Sequence, residues 1–337
     1  MTNHTTRRLI TLIAALVLTT VTAACGGGDD SEGASAADGP ADLAKVTLRV
    51  GDQKGSSIQS LLTAAGELDG TPYKISWSLF TSGPPILEGI NAGAVDFGSV
   101  GNTPPIFAAA ANSSIVIVGG TDVRLDGQAI LVPRDSAIRS PADLRGKKIA
   151  VAKGSSAHGQ LLGVLKKNGL SFADIQPQYL QPADALTALT GGKVDAWAAW
   201  EPYTAQAEAQ ANARILVDGK GYVNGYGFQV TSRKALDDPG RTAALKDFLA
   251  RFQRSVLWTN DHQKEWAAIW AKDTGLPVPV AEKAVERRLT TIVKLDDTLI
   301  SSEQQLADSF SEAKVLPGKV KIADFIDPRF NDTVPAG

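Results

Sequence analysis

From residue 46 onward, short apolar runs rich in β-branched residues alternate with amphipathic stretches. Val46-Thr47-Leu48-Arg49-Val50 alternates with the period of two that a half-buried strand requires. The loop from Gly51 to Ser57 leads from it into an amphipathic helix predicted over 58–68. A second strand, 73–80, stops at Thr81-Ser82-Gly83-Pro84-Pro85. The prolines fall in the first turn of a helix over 86–91, where a missing N–H removes no bond. A strand at 95–98, the loop Gly101-Asn102-Thr103-Pro104-Pro105, a helix at 105–111 and a strand at 114–118 complete a first set. This alternation predicts parallel βαβ units.

After Gly119-Gly120 the pattern restarts. Strands are predicted at 129–132, 148–152, 176–180, 194–198 and 215–217, and helices at 140–144, 156–168, 183–190 and 203–211. Ser140 is the N-cap of the first of these helices, with Pro141 at its first position. From Arg241 the chain is mostly helical. Its aromatic stripe of Phe248, Phe252, Trp258, Trp266 and Trp270 is expected to pack a core rather than to hold a cofactor.

The two sets echo one another at one offset. Lys54-Gly55-Ser56-Ser57 recurs 99 residues later as Lys153-Gly154-Ser155-Ser156. The same shift carries Leu87, Ile90, Gly93, Val95 and Asp96 onto Leu186, Leu189, Gly192, Val194 and Asp195. Two separated blocks sharing an offset argue for two similar lobes. The shift also lays Asn102 on Glu201, so the Gly101–Pro105 loop and Trp197-Ala198-Ala199-Trp200-Glu201-Pro202 are equivalent turns. The expected fold is α/β and two-lobed, each lobe a mostly parallel sheet flanked by helices.

Length and composition agree with this. A chain of 337 residues exceeds one ordinary core, and 43% hydrophobic with 21% charged residues is a soluble globular composition. The amino terminus is different. Arg7 and Arg8 precede an uncharged apolar run, 9–21, and then Thr22-Ala23-Ala24-Cys25, an export signal too short for a stable membrane span. Cys25, the only cysteine, stands where a bacterial lipoprotein signal is cut and acylated, although Thr22 replaces the usual Leu. The Arg7-Arg8 pair also hints at a twin-arginine route. With Cys25 as an anchor, disulfides and zinc–thiolate sites are excluded. Removing residues 1–24 lowers the 34 basic residues to 32 against 36 acidic ones, so the formal charge moves from −2 to −4. No basic patch points to nucleic acid. Residues 25–44, mostly Gly, Ala, Ser and Asp, read as a flexible tether.

The candidate chemistry lies at helix starts. In open parallel sheets, ligands sit beyond the carboxyl ends of the strands. Four loops there carry hydroxyls or amides: 53–57, 81–83, 101–103 and 154–156. Each offers unpaired backbone N–H groups, and their glycines let backbone approach a ligand. Converging N–H dipoles can hold a monoanion; for any one loop a simple Ser, Thr or Asn cap is the better account, and it is the four loops together, in two repeated lobes, that favour a ligand. Trp197, on its strand, reads as core, whereas Trp200 is a candidate wall for an apolar ligand tail. His158 is not expected to act as a base, since no Ser or Cys nucleophile stands near it in the pattern. Lys54 is either a countercharge or a solvated loop lysine. Glu201, a negative charge near the proposed anion, is expected to orient a donor at the rim.

These residues resemble a type II periplasmic binding protein of an ABC importer, in the aliphatic sulfonate-binding group of the nitrate, sulfonate and taurine cluster. The resemblance runs from about Leu48 to Leu289. It rests on Gln53-Lys54-Gly55, on Gly83-Pro84-Pro85-Ile86-Leu87-Glu88-Gly89, on Val95-Asp96-Phe97-Gly98 and on Gly101-Asn102-Thr103-Pro104-Pro105-Ile106-Phe107. The second half adds Asp143-Leu144-Arg145-Gly146-Lys147-Lys148, Lys153-Gly154-Ser155-Ser156-Ala157-His158, and Asp195-Ala196-Trp197 through Trp200-Glu201-Pro202. It implies lobe I from 45–125 with 225–337, lobe II from 126–224, and a hinge near Leu125-Asp126-Gly127 and Gly221-Tyr222-Val223. It further implies a ligand site of Gln53, Lys54, Ser82, Gly83, Gly101, Asn102, Thr103, Ser155, Ser156, His158, Trp200 and Glu201.

The implied protein is an exported, lipid-anchored monomer on the outer face of the cytoplasmic membrane. It passes an aliphatic sulfonate or related small anion to ABC permease subunits, with no cofactor and no chemistry on the ligand. Nitrate, taurine, bicarbonate and a thiamine precursor are rival ligands, and Trp200 favours a sulfonate with a carbon chain. A thiamine-pyrimidine synthase on the same fold is the enzyme alternative, but it resembles a version with a cysteine-rich motif and catalytic histidines. After Cys25 this chain has no cysteine and only His158 and His262.

Overall fold

Two mixed sheets, each flanked by helices, organise residues 42–335, which the computed structural model describes. The export signal, Cys25 and most of the predicted tether lie outside those residues. The first run of chain builds β1 (Thr47–Gln53), α1 (Ile58–Ala64), β2 (Lys74–Phe80), α2 (Gly83–Asn91), β3 (Phe97–Gly101), α3 (Thr103–Ala110) and β4 (Ile115–Val123). It then crosses into β5 (Ala129–Pro133), β6 (Lys148–Val151), α4 (Ser156–Lys167), β7 (Gln176–Tyr179), α5 (Pro182–Thr190), β8 (Ala196–Ala199), α6 (Tyr203–Gln210) and β9 (Ala213–Asp218). After a second crossing come β10 (Tyr226–Ser232), α7 (Arg233–Leu236), α8 (Pro239–Asp261), α9 (Gln263–Thr274), α10 (Val278–Glu286), β11 (Thr290–Val293) and α11 (Asp297–Glu312).

The first sheet has the order β11-β4-β10-β3-β1-β2 and the second β7-β6-β8-β5-β9. Apart from β11, the orders are the same, and the 99-residue echo is their structural trace. α2 and α5 are related by that offset at both ends. In the first lobe the Asp96 N–H donates to Arg49 O at 2.7 Å, while Asp96 Oδ2 accepts the Arg49 N–H at 3.0 Å. In the second, Asp195 and Lys148 repeat both bonds, each at 2.8 Å.

The parallel expectation needs one correction. β5 runs antiparallel to β8 and β9, and β10 antiparallel to β3 and β4. Each is the first strand after a crossing, so the chain enters the sheet from the opposite end. β10 and β11 were not anticipated. β11 lies in the helical tail and pairs antiparallel with β4, although Thr290-Thr291-Ile292-Val293 carries a β-branched signal. The element predicted at 140–144 is a 3₁₀ turn, Pro141–Leu144, in which Asp143 Oδ2 accepts the Ser140 N–H at 2.8 Å.

Apolar faces cover both sides of each sheet. In the first lobe, Leu48, Val50 and Phe97 pack under α1, α8 and α9, with Phe97 edge-on to Phe248 at 4.8 Å between centroids. Ile86, Ile90, Phe228 and Val230 fill the opposite side. In the second lobe, Trp197 is buried core, as its strand position predicts. The two crossings lie side by side: the Val123 N–H donates to Gly225 O at 2.9 Å and the Gly219 N–H to Leu125 O at 3.2 Å. Among the described residues no helix is long and apolar enough to cross a membrane.

Candidate functional site

A cavity of about 180 Å³ lies where the ends of β1 and β3, the start of α4 and the Trp200-Glu201 turn converge. Gln53, Gly83, Gly101, Ser155, Ser156, Trp200 and Glu201 line it, so seven of the sequence-derived residues are brought together. The lobes touch at its edge. A Cβ on Gly101 would stand 2.8 Å from Ser156 Cβ, so only glycine lets β3 approach α4 this closely. The backbone N–H groups of Ser156 and Ala157 have no acceptor among the described residues, as the first turn of a helix requires. The Ser155 hydroxyl donates to Ala152 O at 2.7 Å, and Gln128 Nε2 holds Ser156 O at 3.2 Å.

The other five do not line the cavity. Lys54 is exposed, and only its carbonyl bridges the lobes by accepting from the Tyr203 hydroxyl at 2.8 Å. It is therefore a solvated loop lysine. Ser82 is fully buried at the start of α2. Asn102 and Thr103 are buried and bonded inward: Thr103 Oγ1 donates to Asn102 Oδ1 at 2.9 Å, and Asn102 Nδ2 to Asn224 Oδ1 at 2.7 Å. Their amide and hydroxyl tie the start of α3 to the second crossing instead of facing a ligand. His158 is 0% exposed, boxed by Phe107, Phe172, Tyr179 and Phe310. Burial pushes its pKa down to about 4, and its Nδ1 accepts the Gly154 N–H, so it is a neutral packing residue.

The network behind Asn102 continues through Asn224 Nδ2, which donates to Ser302 Oγ at 3.2 Å and to Glu303 Oε2 at 3.3 Å. Glu303, on α11, is fully buried, which pushes its pKa up to about 8. A neutral Glu303 thus anchors a side chain of the crossing segment.

Glu201 lies deeper than a rim position. It is 4% exposed, and it fits because Gly127 has no side chain against which its methylenes would collide. Glu201 Oε2 accepts the Ala205 N–H at 3.0 Å, and Oε1 meets Arg287 Nη1 at 3.3 Å. Arg287 also binds Glu208 at 2.7 Å, and Lys283 joins Glu208 at 3.0 Å. This cluster joins the segment after α10 to α6 across the lobes. Burial raises Glu201 to about 7, opposed by the Ala205 N–H and by Arg287.

Sequence reasoning missed the opposite wall. Phe252, Val256, Trp266 and Trp270 from α8 and α9 are buried in the first lobe's core, as the stripe predicts, and they also line the cavity. Arg288 lies beside them, its guanidinium carbon 5.8 Å from the Trp270 ring centroid. Arg288 is half-buried on the cavity wall, and desolvation there lowers its pKa, with Glu201 and Asp52 acting in the other direction. An apolar cavity wall and an apolar core have the same sequence pattern, and the arginines lie beyond the repeated region.

The chain is similar to proteins of known family and fold. The family described as NMT1/THI5 like matches residues 84–266. An Escherichia coli K12 protein described as an aliphatic sulfonates-binding protein is 40% identical over 286 residues, covering 84% of this chain and 89% of its own. A Bacillus subtilis 168 protein of the same description is 33% identical over 307 residues, covering 88% and 90%. The solved structure of the alkanesulfonate-binding protein SsuA from Xanthomonas axonopodis pv. citri bound to MOPS superposes with a TM-score of 0.79 at 35% identity, covering 85% of this chain and 99% of that one.

Proposed function

The chain belongs to the NMT1/THI5-like family and, within it, to the aliphatic sulfonate-binding proteins, and on that premise we propose that it captures an aliphatic sulfonate and delivers it to an ABC importer. It is a binding protein rather than an enzyme. The observation that carries the reading is the composition of one cavity between the lobes. Free helix-start N–H groups and polar side chains stand on one side, and Trp200, Phe252, Trp266 and Trp270 on others. Such a site suits a ligand with an anionic head and an apolar body. Nitrate and bicarbonate have no body for that wall. Taurine needs a carboxylate for its ammonium, and Glu201 is already held by Arg287 and the Ala205 N–H.

The lobes close over the ligand by bending at the paired crossings, 124–128 and 219–225. Export, cleavage before Cys25 and acylation of that residue hold the protein at the outer face of the membrane, with the chain before residue 42 as the tether; its predicted end at 44 is too late, because Leu43 lies in a 3₁₀ turn packed on the first lobe's core. Native mass spectrometry of protein purified from its own cells tests the reading. A bound mass matching a sulfonate supports it, and a bound nitrate or pyrimidine overturns it.

A further inference from the structure

We propose that Arg288 carries the countercharge to the bound anion and, building on the binding function above, limits the ligand head to a single negative charge. Among the described residues the Arg288 side chain makes no hydrogen bond, and no carboxylate lies within ion-pairing distance of it. Its neighbour Arg287 is fully engaged by Glu201 and Glu208.

The two carboxylates whose charge reaches Arg288 are both held elsewhere. Glu201 is bound by the Ala205 N–H and by Arg287. Asp52 accepts the N–H groups of Ile58 at 3.0 Å and Gln59 at 3.2 Å at the start of α1. An uncompensated cation on a cavity wall is unfavourable in the empty protein, and an anion entering that cavity relieves it.

The chemistry fits a sulfonate. A planar guanidinium presents a fork of N–H donors, and a tetrahedral sulfonate offers three acceptor oxygens on one charge. Trp270 lies under the guanidinium and is itself fixed by donating its indole N–H to Gly55 O at 2.9 Å. The apolar body of the ligand then meets Trp270, Trp266, Phe252 and Val256. One free guanidinium matches one negative charge. A dianion would leave its second charge facing Glu201, since Arg124, the other arginine on the wall, is already paired with Asp126 at 3.1 Å.

Titration of butane-1-sulfonate and of sulfate into the wild type, Arg288→Gln and Arg288→Lys, with melting of each ligand-free protein, tests this. The wild type is expected to bind butane-1-sulfonate and not sulfate. R288Q is expected to bind about 10- to 100-fold more weakly, the loss of a charge-assisted pair, with R288K between them. Ligand-free R288Q is expected to melt close to wild type, because the side chain has no hydrogen-bond or ion-pair partner to lose and only its contact with Trp270 goes. Equal affinity in R288Q, or a lower melting temperature with affinity kept, overturns the proposal. If the wild type binds no sulfonate, the proposed function fails, and the same proteins are compared with nitrate and bicarbonate. Absence of any anion dependence on Arg288 there overturns this assignment as well.

Discussion

Gly101 of one lobe lies against Ser156 of the other so closely that a Cβ added to Gly101 would stand 2.8 Å from Ser156 Cβ. Carbon atoms prefer about 3.5–4 Å, so Gly101→Ala forces the lobes apart. Overpacking of this kind costs about 1–3 kcal/mol, which predicts about 5- to 150-fold weaker ligand binding. The unliganded protein is expected to keep its fold, because the open state does not require this contact. Unchanged affinity in G101A would show that closure to this contact is not needed for binding.

Glu201 and Glu303 predict how stability follows pH. Burial raises them from the ordinary 4.5 to about 7 and about 8, so between those values the folded protein holds protons that the unfolded chain has lost. Stability therefore falls as pH rises through that window, by up to about 1.4 kcal/mol per pH unit for each group. The melting temperature should be higher near about pH 5.5 than near about pH 8.5, and Glu303→Gln should flatten the difference. A melting temperature that rises across this range refutes the assignment.

Much of this fold was legible in the sequence because it is built twice. The 99-residue offset placed Asp96 on Asp195 and α2 on α5, and the two sheets share one strand order. β10 escaped because it enters its sheet from the crossing, and its counterpart β5 precedes the second lobe's other strands, so no single offset relates them. The lining of the cavity was legible where loops end strands, at Gln53, Gly83, Gly101, Ser155, Ser156, Trp200 and Glu201. Asn102, Thr103, Ser82 and His158 have the same polar character, yet they are buried outside the cavity lining, which spacing does not reveal. Arg287, Arg288 and the α8–α9 aromatics come from the unrepeated tail, where neither the echo nor the helix-start argument applies.

Trp200 stands against Tyr203 edge-on at 5.5 Å between centroids and lines the cavity. Replacing it with Ala removes apolar wall, and each methylene left uncovered forfeits up to about 0.8 kcal/mol. Affinity for methanesulfonate should change little, while that for octanesulfonate should fall about tenfold. Equal losses for both would mean that Trp200 acts on the head of the ligand.

Cys25→Ser tests the proposed anchor, which lies outside the described residues. The variant should move from the membrane fraction to the soluble exported fraction, with ligand affinity unchanged. Retention in the membrane would refute acylation at this position.

The most direct test of sulfonate capture is titration calorimetry of the mature protein with a series of alkanesulfonates. A few charge-assisted hydrogen bonds from helix-start N–H groups, with apolar contact, predict saturable binding of one ligand per chain at micromolar or tighter affinity, about −8 kcal/mol. No heat with any sulfonate, together with saturable binding of nitrate or of a pyrimidine, would contradict the account.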